Sequence, residues 1–175
     1  MFYNHLKGHI EALLFACGKP IPAGRLAEIL EVTQQHIELL IAQMNEEMAD
    51  GSRGLVISQV AGGYQLCTRP ELATVVERLG QVQETRLSMA AMETLSIIAF
   101  KQPITKQEIE SIRGVKVDSV VNLLVERQLI KEMGRKEAIG RPILYGTTEE
   151  FLSCFGLSSL EELPDLAQFI PTEQS

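Results

Sequence analysis

The chain has 175 residues, of which 45% are hydrophobic and 22% are charged, and its formal net charge is −7. These values exclude a disordered chain and are typical of one ordinary globular domain or two small ones. Three cysteines that lie far apart exclude a disulfide framework and a CxxC metal or redox motif. No run reaches the roughly 18 apolar residues that a membrane span needs. We therefore expect a cytoplasmic protein without a cofactor.

The first predicted helix runs from Leu6 to Cys17, and Gly18 and Pro20 end it. Its segment "IEALLFAC", residues 10–17, has only one polar side chain. A helix that is apolar nearly all round is covered on both sides, and a domain of roughly 80 residues is too small to cover it alone. The alternative is an unusually thick core. We predict an interface with a second copy of the chain that contains Ala12, Leu13, Phe15 and Ala16.

Two further helices and a hairpin follow in the first half. Apolar spacing predicts a short helix over Leu26 to Leu30 and a longer one from about Thr33 to near Gly51. One face of the longer helix holds Ile37, Leu40, Ile41, Met44 and Met48. Two β-prone runs then flank Gly62 and Gly63, where glycine supplies the positive φ of a tight turn. The sequence therefore predicts a β-hairpin.

The second half repeats this plan at a shift of 83 positions. The segment "LLFACGKPI" at 13–21 aligns with "SIIAFKQPI" at 96–104, which places Phe15 opposite Ile98. Since an apolar helix and a proline recur at the same spacing, we expect both halves to have the same fold.

The elements of the second half follow the same order. Ser88 is predicted to cap a helix, and a short helix follows Pro103. Asp118 is predicted to cap a third helix, and the segment 129–148 forms a hairpin.

A short helix is predicted after each hairpin. Thr68 with Glu71, and Thr147 with Glu150, have the spacing of a capping box, in which each side chain bonds the backbone amide of the other.

Three helices, a hairpin and a further helix are the order of a winged-helix domain. We therefore predict a mainly α fold with small β-hairpins, in the α+β class, made of tandem winged-helix domains. The first domain covers 1–80, the linker 81–87 and the second domain 88–164, and a short tail at 165–175 ends the chain.

The sequence contains no motif typical of an enzyme. The segment "GRKEAIG" at 134–140 lacks the order of a P-loop. His5 and His9 have helical metal-ligand spacing, but no third ligand lies at a useful interval. We therefore expect a protein that is not an enzyme and binds no metal.

A DNA-binding transcriptional regulator is the alternative function, because winged helices commonly read DNA with their third helix. The third helix of the first half has no lysine or arginine to neutralise phosphates. The second hairpin is more basic, with Lys131, Arg135, Lys136 and Arg141 against Glu132 and Glu137. We interpret it as a protein-contact surface first, with at most a weak non-specific DNA contact. The predicted partner-binding residues are Arg135, Lys136, Arg141, Pro142 and Tyr145.

Several longer segments resemble one protein family. They are "IEALLFACGKPI", "VAGGYQLCTRPE", "ETLSIIAFKQPITKQEIESIRGV" and above all "GRKEAIGRPILYGTTEEFLSCFGLSSLEELP". These are similar to segregation and condensation protein B, the ScpB family, over about Leu6 to Pro164. The resemblance implies two winged-helix domains, a homodimer formed largely by the N-terminal domains, and no catalysis. It also implies binding to the kleisin ScpA, which bridges the SMC ATPase, and therefore a protein of the nucleoid that acts in chromosome condensation and cell division.

Overall fold

The structure is a computed structural model of the chain, and it describes residues 4–49, 53–79 and 87–164. The chain divides into two compact units. Within the described residues, the first unit contains 4–79 together with 156–164, and the second contains 87–155. The predicted linker at 81–87 lies outside the described residues except for its last position, and the predicted tail at 165–175 lies outside them entirely.

Three helices begin the first unit: α1 Asn4–Cys17, α2 Ala23–Leu30 and α3 Gln34–Met48. Thr33, where this helix was predicted to begin, is the N-cap of α3, because its hydroxyl oxygen accepts a hydrogen bond from the backbone amide of His36 at 3.3 Å. The α2 helix begins before the predicted Leu26, because Ala23 is also buried and extends the apolar face towards the N-terminus.

The apolar faces of these helices meet in one core. It contains Leu6, Ile10 and Leu14 of α1, Leu26 of α2, and Ile37, Leu40, Ile41, Met44 and Met48 of α3. Each large apolar side chain that is fully buried contributes about 1.5–3 kcal/mol relative to exposure. The predicted apolar face of α3 is buried along its whole length.

The first wing is an antiparallel hairpin of β1 Leu55–Val60 and β2 Gly63–Thr68. Its turn consists of Ala61 and Gly62, with φ of 49° and 71°. The prediction of a turn at Gly62 and Gly63 is therefore wrong by one residue. Gly63 already belongs to β2, where a Cβ atom would lie 2.8 Å from the carbonyl carbon of Ile21.

Both edges of this hairpin are partly occupied. On the β2 side, Tyr64 exchanges two backbone hydrogen bonds with Ile21, at 2.8 and 2.9 Å. On the β1 side, the amide of Asn45 donates to the carbonyl of Ile57 at 2.8 Å and accepts from its N–H at 3.0 Å. The Asn45 side chain therefore replaces a neighbouring strand at this point.

A 3₁₀ turn, Pro70–Leu72, and the short helix α4 Ala73–Glu77 follow the first wing. The predicted capping box of Thr68 and Glu71 is wrong. Thr68 remains paired in β2, so the residue that precedes the turn is Arg69, whose side chain makes no capping bond.

The second unit has seven elements within the described residues: α5 Met89–Lys101, β3 Ile104–Thr105, α6 Lys106–Arg113, α7 Asp118–Glu126, β4 Ile130–Arg135, β5 Ile143–Thr147 and α8 Glu149–Phe155. The strands form an antiparallel sheet in the order β3-β5-β4. Ser88 caps α5 as predicted, with its hydroxyl oxygen 3.2 Å from the amide of Ala91. Each unit thus has three helices and a hairpin, which confirms the α+β class and the tandem winged-helix fold.

Two caps in the second unit differ from the prediction near α6 and α7. Val117, not Asp118, is the N-cap of α7, and Asp118 in the first turn accepts a hydrogen bond from Lys106 at 3.1 Å. Sequence reasoning missed a complete capping box at the start of α6, formed by Thr105 and Glu108.

The cap of α8 also lies one residue later than predicted. Thr147 is buried at the end of β5, where its amide donates to the side-chain oxygen of Gln102 at 2.7 Å. Thr148 is the residue that caps α8, because its hydroxyl oxygen accepts from the amide of Phe151 at 3.1 Å. The predicted box of Thr147 and Glu150 is therefore wrong.

The described residues after α8 belong to the first unit. The amide of Ala61 donates to the carbonyl of Leu157 at 2.8 Å, and the hydroxyl of Ser158 donates to the carbonyl of Gln59 at 3.0 Å. A 3₁₀ turn, Leu160–Glu162, follows. The second unit therefore ends before the predicted boundary.

Both units have the predicted order of elements, but the predicted residue alignment of α1 with α5 is wrong. Ile98 is fully buried, with 0% exposure, whereas Phe15, its predicted equivalent, is 78% exposed. The buried residue beside Phe15 is Leu14, with 1% exposure. The two connections also differ in length, since that from α1 to Ile21 is one residue longer than that from α5 to Ile104.

Candidate functional site

The outer side of α1 is apolar and exposed. Ala12, Phe15 and Ala16 have i, i+3 and i+4 spacing, which places them on one side of the helix, and all three are exposed. Gly8, one turn earlier, is exposed on the same side, and these four residues are called the α1 face. Leu13, the other predicted interface residue, is half-buried and packs against the core instead.

A groove of about 310 Å³ lies beside the α1 face. Its walls are formed by Gly8, Glu11, Ala12, Phe15, Leu55 and Leu66. Sequence reasoning missed Leu55 and Leu66, which come from the first wing. Strand alternation puts Leu55 on the same side of β1 as the buried Ile57, but this signal does not reveal which helix that side meets.

The second wing displays the basic residues that the sequence singled out. Arg135, Lys136 and Arg141 are exposed, and the guanidinium of Arg135 donates to the carbonyl of Arg141 at 3.1 Å. Pro142 is half-buried at the end of the loop. Tyr145 is only 5% exposed, so it supports the wing from the core and offers little surface to a partner.

Lys136 joins the second wing to α6. Its ammonium lies 2.6 Å from a carboxylate oxygen of Glu108, the residue of the α6 capping box. This hydrogen bond, followed by those from the amide and hydroxyl of Thr105, lowers the pKa of Glu108 from 4.5 to about 2. Lys136 is therefore engaged within the unit, whereas sequence reasoning treated it as a contact for a partner.

A second groove, of about 540 Å³, lies at the base of this wing. Its walls are formed by Lys106, Gln107, Glu110, Lys116, Asp118, Pro142, Ile143 and Tyr145. Lys106 pairs with Asp118 at 3.1 Å, and Lys116 pairs with Glu110 at 3.0 Å. The hydrogen bond and charge of Glu110 raise the pKa of Lys116.

This second groove combines apolar and charged walls. Its apolar floor comes from Pro142, Ile143 and Tyr145, and its charged walls are internally paired. Such a surface matches a polypeptide that offers both apolar and polar groups.

The model of the family described as "Segregation and condensation complex subunit ScpB" matches residues 8–166 of the chain. The chain belongs to the ScpB family. This confirms the resemblance seen in the sequence.

Curated relatives of this ScpB-family chain are described as segregation and condensation protein B. Segregation and condensation protein B of Symbiobacterium thermophilum is 54% identical over 94% of this chain and 75% of its own length. The protein of that name from Moorella thermoacetica is 49% identical over 99% of this chain and 89% of its own length.

A solved dimer of the ScpB N-terminal domain, complexed with an ScpA peptide, is also similar to this chain. It is 26% identical with a TM-score of 0.44, and the match covers 45% of this chain and 99% of the solved one.

Three further features of this ScpB-family chain concern DNA, metal ions and membranes. Helices α3 and α7, the third helix of each unit, contain no lysine or arginine. His5 and His9 meet edge to face, with ring centroids 5.7 Å apart, and the described residues contain no group of three or more potential metal ligands. In that same part of the chain, every helix is too short or too polar to cross a membrane.

Proposed function

We propose that this chain is a non-catalytic adaptor of the segregation and condensation complex. In this proposal it forms a homodimer, binds the kleisin ScpA and joins the SMC ATPase through ScpA, at the nucleoid in the cytoplasm. Membership of the ScpB family supports a place in that complex. In this proposal the α1 face mediates self-association, and the second wing with the groove at its base binds the partner.

The exposure of Phe15 carries the proposal of a dimer. Its side chain is 78% exposed and is flanked by the small residues Ala12 and Ala16, which allow a close approach. Burial of one phenylalanine contributes about 1.5–3 kcal/mol, and a two-fold axis makes that contribution twice. The adjacent groove offers a place for the phenylalanine of the second copy.

The second wing and the groove at its base are the proposed surface for ScpA. Arg135, Arg141 and Pro142 lie on it, and the apolar floor of the groove continues it towards the core of the second unit. The Lys136–Glu108 ion pair keeps the wing fixed against α6, which reduces the ordering cost of binding.

Two measurements on the full chain test this function. Light scattering over a range of concentrations should give twice the chain mass of 19.4 kDa, and titration calorimetry with purified ScpA should give saturable binding. A chain that stays monomeric at tens of micromolar, or that releases no heat with ScpA, contradicts the proposal. Selective binding of one duplex sequence over excess competitor would instead support a transcriptional regulator.

A further inference from the structure

Tyr145 is a polar residue that is almost completely buried in the second unit, with 5% exposure. It lies on β5, the central strand of the sheet, and is paired with Ile104 of β3 on one side and Glu132 of β4 on the other. Because strands flank it on both sides and its side chain is buried, its ring is held in one position.

The hydroxyl of Tyr145 has no hydrogen-bond partner in the part of the chain that the structure describes. A buried tyrosine hydroxyl usually finds such a partner. Among the same residues, Nε of Arg69 is the only side-chain polar atom that is both fully enclosed and unbonded, so the Tyr145 hydroxyl is not fully enclosed. Tyr145 lines the groove at the base of the second wing, and its hydroxyl is therefore accessible from that groove.

The groove around this hydroxyl is apolar at its floor and has no net charge. Pro142 and Ile143 are half-buried and form the floor beside Tyr145. The two lysines and two acidic residues of the walls are paired with each other, at 3.1 and 3.0 Å. An occupant with a charge of its own would lose the hydration of that charge without gaining a free partner for it. The groove therefore favours an uncharged occupant.

We propose that this groove binds an uncharged, extended segment of ScpA, with an apolar side chain on Pro142 and Ile143 and a backbone carbonyl that accepts a hydrogen bond from the hydroxyl of Tyr145. This rests on the proposed function only for ScpA as the partner. In a helix the backbone carbonyls are already bonded within the helix, so a free carbonyl beside an apolar side chain is typical of an extended segment. DNA does not fit, because Glu110 and Asp118 line the same groove and would repel phosphates.

Tyr145 is then a residue that determines specificity in partner binding. The apolar floor accepts many apolar side chains, whereas the hydroxyl requires an acceptor at one fixed point. Since the ring is already held by the sheet, the hydrogen bond forms without the cost of ordering that side chain.

The test removes only the hydroxyl. Tyr145→Phe in the full chain should weaken binding of purified ScpA by about three- to tenfold in titration calorimetry, as expected for one hydrogen bond. It should not lower the melting temperature, because the hydroxyl has no partner within the described chain. Tyr64→Phe is the matched control, since it removes a hydroxyl from a tyrosine of the first wing, outside the groove, and it should change the affinity less than about twofold.

Each other outcome contradicts the proposal in a different way. If the wild type and Tyr145→Phe bind ScpA equally, the hydroxyl makes no contact with ScpA, but the proposed function stands. If the wild type itself does not bind ScpA, both are wrong. A lower melting temperature for Tyr145→Phe would show that the hydroxyl has a partner within the chain. Weaker self-association without a change in ScpA affinity would place a second copy of the chain in the groove.

A second variant fills the groove from its wall. Gln107 is exposed on α6 and lines the groove, so Gln107→Trp should weaken ScpA binding more than Tyr145→Phe does. Lys101→Trp, at an exposed position of α5 outside this groove, should bind like the wild type. The ratio of the affinities of the wild type and Tyr145→Phe should be the same at low and high salt, because neither bonded group is charged. A ratio that falls with salt would mean that a carboxylate occupies the groove.

Discussion

The first helices of the two units occupy the same place in the fold but present different outer surfaces. On α5, Glu93 pairs with Arg113 at 2.9 Å, and the hydroxyl of Ser96 donates to the carbonyl of Met92 at 2.9 Å. The outer side of α1 instead carries Ala12 and Phe15. The outer side of the helix is therefore polar in the second unit and apolar in the first.

The two wings also differ, but here the exposed apolar residue belongs to the second unit. The first wing, Leu55–Thr68, has a two-residue turn and contains no charged residue. The second has a longer loop, residues 136–142, with basic side chains and the exposed Ile139. The exposed apolar residue thus lies on the first helix in the first unit and on the wing in the second.

The largest expected effect tests which residues of α1 and α5 are equivalent. Leu14→Ala and Ile98→Ala each remove a buried side chain and should each lower the free energy of unfolding of their own unit by about 2–5 kcal/mol. Phe15→Ala should change it by less than about 0.5 kcal/mol in the monomer, because that side chain is exposed. Urea unfolding measures all three, and a large loss for Phe15→Ala would restore the predicted alignment.

The next effect tests the difference between the outer sides of α1 and α5. Phe15→Arg should weaken the homodimer about 100-fold, or about 2.7 kcal/mol, because it would bury an unpaired charge. Met89→Arg places the same charge on α5 at nearly the same exposure, 77% against 78%.

Sedimentation over a concentration series separates the two variants. Phe15→Arg should sediment as a folded monomer, and Met89→Arg should keep the wild-type dissociation constant. Equal weakening by both variants would show that the α1 face is not the specific interface.

Regular features of the fold could be predicted from the sequence, because they depend on apolar periodicity. The buried faces of α1 and α3 and the existence of both hairpins follow from this pattern. Errors arose where a single residue decides the outcome. Thr68 is paired in β2, and Thr147 is held at the end of β5 by its hydrogen bond to Gln102. Neither residue therefore caps the following helix.

The surfaces were harder to predict than the fold. Ala12, Phe15 and Ala16 could be assigned to the outside of α1 because helical geometry fixes their common side. The Lys136–Glu108 pair joins residues of a hairpin and a distant helix, and no local pattern reveals such a contact. Ile139 was passed over because a single apolar residue in a loop carries no periodicity.

A smaller effect concerns how the first wing is held. Asn45→Ala removes both hydrogen bonds to the backbone of Ile57, whose own side chain is buried, and should cost about 1–3 kcal/mol. The loss should be the same at pH 7 and pH 4, because the amide does not ionise. Urea unfolding at both values checks this, with exposed Gln43→Ala on the same helix as the near-neutral control.

The smallest effect concerns the second wing, which is held by an ion pair. Glu108→Gln keeps an acceptor for the amide of Thr105 but removes the charge that binds Lys136. The loss at pH 7 should be below about 1 kcal/mol, because the carboxylate is 43% exposed and screened by water.

The pH dependence of this loss separates the two wings. The pKa of Glu108 is lowered in the folded state to about 2 from 4.5, so the stabilisation is complete above pH 4.5 and disappears as the pH falls towards 2. The difference in unfolding free energy between the wild type and Glu108→Gln should therefore shrink over that interval, while the difference for Asn45→Ala stays constant. Added salt should reduce only the former. A Glu108→Gln difference that is unchanged down to pH 2 would mean that Lys136 contributes nothing to holding the second wing against α6.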